Sequence, residues 1–86
     1  MITAPKGHIG HTFCAAGALE SAFGILSIKN SIVPKILNLE QPLDNELTFA
    51  MDNVHKNVDV VLKTALAFGG INSALIYKSY KHQPKL

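Results

Sequence analysis

Residues 6–29 read KGHIGHTFCAAGALESAFGILSIK, and this stretch decides how the rest of the chain is interpreted. Residues 1–10 hold threonine, proline and two glycines, which predicts a loop. Residues 11–29 are rich in Ala, Leu, Glu, Phe and Ile and are followed by Asn30 and Ser31, which predicts a helix that stops there. Small residues line one face of this helix and large apolar residues the other. A helix that is apolar on every side is expected to be buried all round.

The residues after the helix predict mostly extended and irregular chain, then a strand pair. An apolar run cut by Pro34 predicts extended chain over 31–39, and residues 40–56 are polar and irregular with a short strand near 47–49. Residues 57–80 hold β-branched and apolar runs on either side of Phe68-Gly69-Gly70, which predicts a β-hairpin. Residues 81–86 form a polar tail. The fold class is therefore α/β, and a helix with one strand pair is incomplete on its own.

The composition also indicates a structure that needs a partner. The chain has 86 residues, of which 48% are hydrophobic and 16% charged, against about 25% charged in an average protein. A domain this short buries only about 60–65% of its unfolded surface. We therefore expect the hydrophobic core to be completed by further sequence or by another chain.

Charge and cysteine content exclude several classes of function. The net charge is +2, without the dense basic stripe of a nucleic-acid-binding protein. The single cysteine, Cys14, excludes an internal disulfide and fits a reducing compartment. The N-terminus lacks the pattern of a signal peptide. The most apolar stretch, residues 13–28, is shorter than the ~20 residues that span a bilayer, so we expect no membrane span.

Three motifs occur in order: KGHIGH leading into AAGALE (6–20), VPKILNLEQP (33–42) and AFGGIN (67–72). Together they resemble the C-terminal end of type II β-ketoacyl-acyl-carrier-protein synthases, the condensing enzymes of fatty-acid synthesis. The resemblance implies a thiolase-like α-β-α-β-α layered fold. This chain would be a C-terminal fragment of the synthase's C-terminal domain, with residues 1–10 as the catalytic loop, the buried helix and the closing hairpin.

His11 is the strongest catalytic candidate. At the start of the predicted helix, unpaired backbone amides and the helix dipole disfavour a positive charge. A neutral imidazole there can donate a hydrogen bond to a developing enolate or thioester oxyanion. The alternative is a histidine that only satisfies a buried polar contact. The resemblance implies that His11 is the family's second catalytic histidine.

The resemblance assigns roles to further residues. Lys6 would orient and electrostatically support the catalytic histidines, with a solvated loop lysine as the alternative. The backbone N–H of Phe68 would be one donor of the oxyanion hole, and its ring would gate the acyl pocket. Gly69 and Gly70 would form the substrate-binding turn that Asn72 braces; a plain hairpin turn is the alternative. Ile71 stands where the family usually has threonine, which bears on the acyl pocket.

The implied reaction is the decarboxylative condensation of an acyl thioester with malonyl-carrier protein, without a metal or organic cofactor. Implied partners are acyl-carrier protein, the rest of the synthase chain and a second copy in a homodimer. The implied compartment is the cytoplasm or the mitochondrial matrix. The family's nucleophilic cysteine and its other catalytic histidine have no counterpart here, so we expect the fragment alone to be inactive.

Other interpretations of the same residues stay open. His8 and His11 form an H-x-x-H pair, but a zinc site needs three or four ligands. Cys14 has the thiol of a nucleophile, yet it lies inside the predicted helix and is interpreted as a packing residue. The whole chain is alternatively a non-catalytic interaction subunit, a truncated product, or part of another thiolase-fold enzyme.

Overall fold

A computed structural model describes residues 1–80 of the chain. The predicted tail, 81–86, lies outside the described residues. The elements in chain order are α1 (Lys6–Ile9), a 3-10 helix (Phe13–Ala15), α2 (Ala16–Asn30), β1 (Ile32–Val33), β2 (Val54–His55), β3 (Val60–Ala67) and β4 (Ile71–Lys78). The architecture is α/β, with one helix packed on an antiparallel hairpin, consistent with part of a thiolase-like fold.

Helix α2 starts later than the sequence predicts and ends where it predicts. The helix expected over 11–29 begins at Ala16, because Phe13 has a φ of 50°, in the left-handed region that interrupts a helix. Part of the expected loop is itself one helical turn, α1. At the other end, Ser31 adopts the left-handed conformation and its N–H donates to the carbonyl of Ser27.

The hairpin predicted over 57–80 is present as β3 and β4. Its register runs from Val60 opposite Lys78 to Ala67 opposite Ile71, with residues 68–70 as the turn. Both turn glycines have positive φ, 84° at Gly69 and 76° at Gly70. These are conformations that residues with a Cβ rarely adopt.

A second, smaller sheet joins the segment predicted to be extended, 31–39, to the segment predicted to be irregular, 40–56. β1 pairs antiparallel with β2, with Ile32 opposite His55. The short strand expected near 47–49 is instead a single parallel bridge between Ile2 and Phe49. Backbone hydrogen bonds from Ile2 N to Thr48 O and from Ala50 N to Ile2 O, each 2.8 Å, hold this bridge.

The sequence predicts that α2 is buried all round in a complete fold, and within residues 1–80 it is buried along one face. Its buried residues are small, namely Ala16, Gly24 and Ser27. Leu19 and Leu26, on its other sides, are 40% and 51% exposed. The reason is that residues 1–80 supply only one layer for α2 to pack against, the β3–β4 hairpin.

The described residues do not enclose a hydrophobic core of their own. Within residues 1–80, Ala16 and Ala50 are the buried hydrophobic residues, and no large side chain is fully buried. The radius of gyration is 14.5 Å, against about 12 Å for a compact chain of this length. No helix in residues 1–80 has both the length and the apolar character to cross a membrane.

Candidate active site

The loop that carries His11 is shaped by α1 and by Gly10. The carbonyl of Pro5 accepts the backbone N–H of His8 at 2.9 Å, and that of Lys6 accepts the N–H of Gly10 at 2.8 Å. Gly10 then turns the chain with a φ of 78°, which favours glycine over any residue with a Cβ. This turn ends α1 and presents His11 as an exposed side chain directly before the 3-10 helix.

The backbone N–H of Phe13 donates to Nδ1 of His11 over 3.1 Å. An imidazole nitrogen that accepts a hydrogen bond carries no proton, so the neutral ring has its proton on Nε2. The two rings also stack, with their centroids 4.9 Å apart and 22° between their planes. Thr12, with a φ of −90° and a ψ of 18°, turns the chain so that this N–H meets the ring two residues earlier.

The position of His11 relative to the helix differs from the one that the sequence predicts. His11 precedes the first residue of α2, Ala16, and is separated from it by the 3-10 helix. The N-terminal amides of α2 are therefore not adjacent to His11. The hydrogen bond from Phe13 engages Nδ1 instead, and Nε2–H of the neutral tautomer remains free to donate.

Lys6 contacts a carboxylate. Its Nζ lies 3.5 Å from Oε1 of Glu20, and Nζ of Lys63 lies 3.8 Å from Oε2 of the same side chain. The Glu20 and Lys63 side chains are 15% and 10% exposed, whereas that of Lys6 is 52% exposed. One carboxylate thus joins α1, α2 and β3.

Sequence reasoning missed Glu20 and Lys63 as members of this cluster. A signal for Glu20 was present, since it is the one charged residue between Phe13 and Ile28. A carboxylate in an apolar helix needs a cation or a hydrogen-bond donor when it is buried. Nothing local in the sequence pairs it with Lys63, which follows far along the chain.

The second predicted part of the site lies at the tip of the hairpin. Phe68 is 99% exposed, and Gly69 and Gly70 follow it in the turn. Asn72 lies opposite Leu66 in the strand register. Within residues 1–80, no hydrogen bond or ring contact joins this turn to His11.

His8 and Cys14 take no part in a metal site among residues 1–80, where no group of three potential ligands lies together. Nε2 of His8 lies 2.8 Å from the carbonyl oxygen of Lys35 and ties α1 to the chain after β1. Cys14 is exposed, so its interpretation as a packing residue is wrong here. It lies in the 3-10 helix, in which no residue is buried.

A cleft of ≈ 890 Å³ lies between the N-terminal segment, α2 and β3. Its lining includes Lys6, Glu20 and Lys63 but neither His11 nor Phe68. The two main predicted catalytic residues, His11 and Phe68, therefore do not line this cleft.

A histidine loop followed by a helix and a glycine-turn hairpin is consistent with part of a thiolase-like fold. Residues 1–40 match the family model of the β-ketoacyl synthase C-terminal domain. The chain belongs to the β-ketoacyl synthase family, as a C-terminal portion.

Individual relatives agree with this assignment. The chain is 40% identical over 88 residues to a 3-oxoacyl-[acyl-carrier-protein] synthase homolog of Saccharomyces cerevisiae, covering 93% of this chain and 20% of that protein. It is 36% identical to a putative mitochondrial 3-oxoacyl-[acyl-carrier-protein] synthase of Schizosaccharomyces pombe, with 92% of this chain and 20% of that protein covered. It is 35% identical over 81 residues to 3-oxoacyl-[acyl-carrier-protein] synthase 2 of Rhizobium meliloti, with 92% of this chain and 19% of that protein covered. The chain thus spans about a fifth of the length of these relatives.

Proposed function

We propose that residues 1–86 supply part of the active site of a 3-oxoacyl-[acyl-carrier-protein] synthase that elongates fatty acids by decarboxylative condensation. The observation that carries the proposal is the hydrogen bond from Phe13 N–H to Nδ1 of His11. It places the proton of the neutral imidazole on Nε2, and an Nε2–H is the donor that an enolate oxygen requires. The names of the relatives, all 3-oxoacyl synthases, support the same chemistry.

His11 acts in the decarboxylation step. The bond between the malonyl methylene carbon and its carboxylate breaks, carbon dioxide leaves, and the electron pair moves into the thioester to give an enolate. The negative charge collects on the thioester oxygen, to which Nε2–H of His11 donates. Because the donor is held in place beforehand, it stabilises this charge without reorganisation during the reaction.

Phe68 acts in the carbon–carbon bond-forming step. The enolate carbon attacks the carbonyl of an acyl group held as a thioester on a cysteine, and the carbonyl oxygen becomes an oxyanion. The backbone N–H of Phe68 donates to that oxyanion, and Gly69 and Gly70 let the backbone approach the substrate closely. When the carbonyl re-forms, the carbon–sulfur bond breaks and the cysteine thiolate is released.

The remaining groups come from other parts of the synthase. These are the nucleophilic cysteine and the other catalytic histidine. Within this chain, Lys6 supports the histidines electrostatically and Asn72 braces the turn. Acyl-carrier protein delivers both thioesters, no cofactor takes part, and the synthase is a homodimer. It works in the cytoplasm or the mitochondrial matrix. The fragment of the C-terminal domain comprises the loop, helix and hairpin, and its exposed apolar surfaces pack against the other layers.

The second candidate function is that of a non-catalytic subunit that binds a synthase. The exposed apolar residues of the hairpin, such as Leu62 and Ile76 at 62% and 71% exposure, favour it because they also suit a protein interface. The candidates differ in their need for His11. A binding subunit keeps its effect on a synthase when His11 is replaced, whereas a catalytic segment loses it.

A hybrid synthase tests the proposal directly. In the Rhizobium meliloti synthase 2, the stretch that matches this chain is exchanged for residues 1–86, and condensation of acyl- with malonyl-carrier protein is measured. We expect turnover by the hybrid and none by the isolated 86-residue chain. A folded hybrid that does not condense, or turnover by the isolated chain, would contradict the proposal.

A further inference from the structure

The contact between α2 and β3 contains charged groups in an otherwise small and apolar surface. Gly17, Glu20 and Gly24 recur at spacings of three and four residues, so they share one face of α2. Across from them, Val61 and Lys63 are alternate residues of β3 and belong to its more buried face. A Cβ on Gly24 would lie 3.0 Å from Cγ1 of Val61, which shows how closely helix and strand approach.

The ammonium of Lys63 lies inside this contact. Its side chain is 10% exposed, and its Nζ lies 3.8 Å from Oε2 of Glu20. It reaches the helix beside Gly17, where a Cβ would lie 3.4 Å from Nζ, an ordinary van der Waals contact. Oε1 of Glu20 is buried and has no hydrogen-bond partner within residues 1–80, although Lys6 Nζ is 3.5 Å away.

Such a pair constrains geometry more than it adds stability. Two opposite charges that are largely removed from water offset much of each other's desolvation, so the net gain in stability is small. Loss of one partner leaves the other buried and uncompensated, which is costly. The helix and the strand therefore favour the one arrangement in which Lys63 meets Glu20.

We propose that Lys63 is a positioning residue, which binds Glu20 and thereby holds the hairpin that carries the Phe68 turn at a fixed place on α2. Because the same carboxylate also contacts Lys6, it couples the loop before His11 to that hairpin. This inference rests on the proposed function, in which the loop and the turn serve successive steps of one reaction.

The experiment uses the hybrid synthase with Lys63→Met, which keeps most of the side-chain stem and removes the charge. We expect kcat to fall by roughly 10- to 100-fold, the size of effect that a misplaced reacting group produces, with KM for malonyl-carrier protein nearly unchanged. Lys63→Arg should restore most of kcat. In a Glu20→Gln background, Lys63→Met should have little further effect. Lys56→Met, a change at an exposed lysine that lines the same cleft, is the matched control.

Hydrogen exchange of the hybrid provides a readout that does not depend on activity. Faster exchange of the β3 amides in Lys63→Met, reversed in Lys63→Arg, supports the positioning role of Lys63. This holds even if the folded hybrid does not condense, because that result contradicts only the proposed function. An active hybrid in which Lys63→Met matches Lys56→Met in kcat overturns the positioning role and leaves the proposed function intact. A hybrid that does not fold counts against both.

Discussion

The backbone N–H of Phe13 and Nδ1 of His11 are joined by a hydrogen bond of 3.1 Å, and the two rings stack beside it. This relationship sets the tautomer of the histidine from within its own loop. Phe13 also has a left-handed φ of 50°, a conformation that is uncommon for a residue other than glycine. Strain of this kind persists where the surrounding contacts favour it, and it is common at active sites.

Replacement of His11 tests its role as a donor. In the hybrid synthase, we expect His11→Ala to lower the release of carbon dioxide from malonyl-carrier protein by about 100- to 1000-fold, the usual cost of losing one oxyanion donor. His8→Ala is the matched control, because His8 lies in α1 just before the His11 loop and its ring bonds to the Lys35 carbonyl. We expect that control to stay within about threefold of the wild type. Equal effects of the two changes would contradict the assignment.

The tautomer of His11 is directly measurable. Nitrogen-15 chemical shifts of the ring in the hybrid synthase, recorded at a pH where the imidazole is neutral, should show a protonated Nε2 and an unprotonated Nδ1. His55 is the internal reference, since it is exposed and no side-chain hydrogen bond holds it within residues 1–80. A His11 with its proton on Nδ1 would rule out the hydrogen bond from Phe13.

The parts of the fold that local patterns specify were predictable from the sequence. The end of α2 follows from Asn30 and Ser31, and the hairpin follows from two apolar runs around paired glycines. The start of α2 was not predictable in the same way. Only glycine, and to a lesser degree Asn or Asp, signals a left-handed residue, so a phenylalanine at position 13 gives no such signal.

The parts that depend on distant residues were not predictable. β1 and β2 have two residues each, too few for any periodicity, and they pair across about twenty residues of loop. The same holds for Glu20 and Lys63, which meet only because α2 packs on β3. His11 and the Phe68 turn were predicted as site residues from their motifs, whereas the cluster of Lys6, Glu20 and Lys63 required the three-dimensional structure.

The close approach of α2 and β3 predicts opposite effects for two glycine substitutions. Alanine favours a helix over glycine by about 1 kcal/mol. At Gly17 the new Cβ meets only the flexible end of Lys63, at 3.4 Å, so Gly17→Ala should not destabilise the hybrid synthase. At Gly24 it meets Val61 at 3.0 Å, and overpacking costs about 1–3 kcal/mol. Urea unfolding should therefore show Gly24→Ala as the less stable variant, with partial recovery in Gly24→Ala/Val61→Ala. A Gly17→Ala variant less stable than Gly24→Ala would contradict the close packing of Gly24 on Val61.

The positive φ of Gly70 predicts a stereochemical test of the hairpin turn. An L-residue in this conformation costs roughly 1–2 kcal/mol, whereas a D-residue adopts it readily. Nothing lies within 4 Å of the position where a Cβ on Gly70 would stand, so no clash adds to that cost. In hybrid synthase made by joining synthetic residues 57–86 to the remainder, we expect Gly70→Ala with L-alanine to speed amide exchange in β3 and β4. D-alanine at the same position should leave exchange at the wild-type rate. Because the two variants differ only in handedness, equal exchange rates would show that the turn does not need its positive φ.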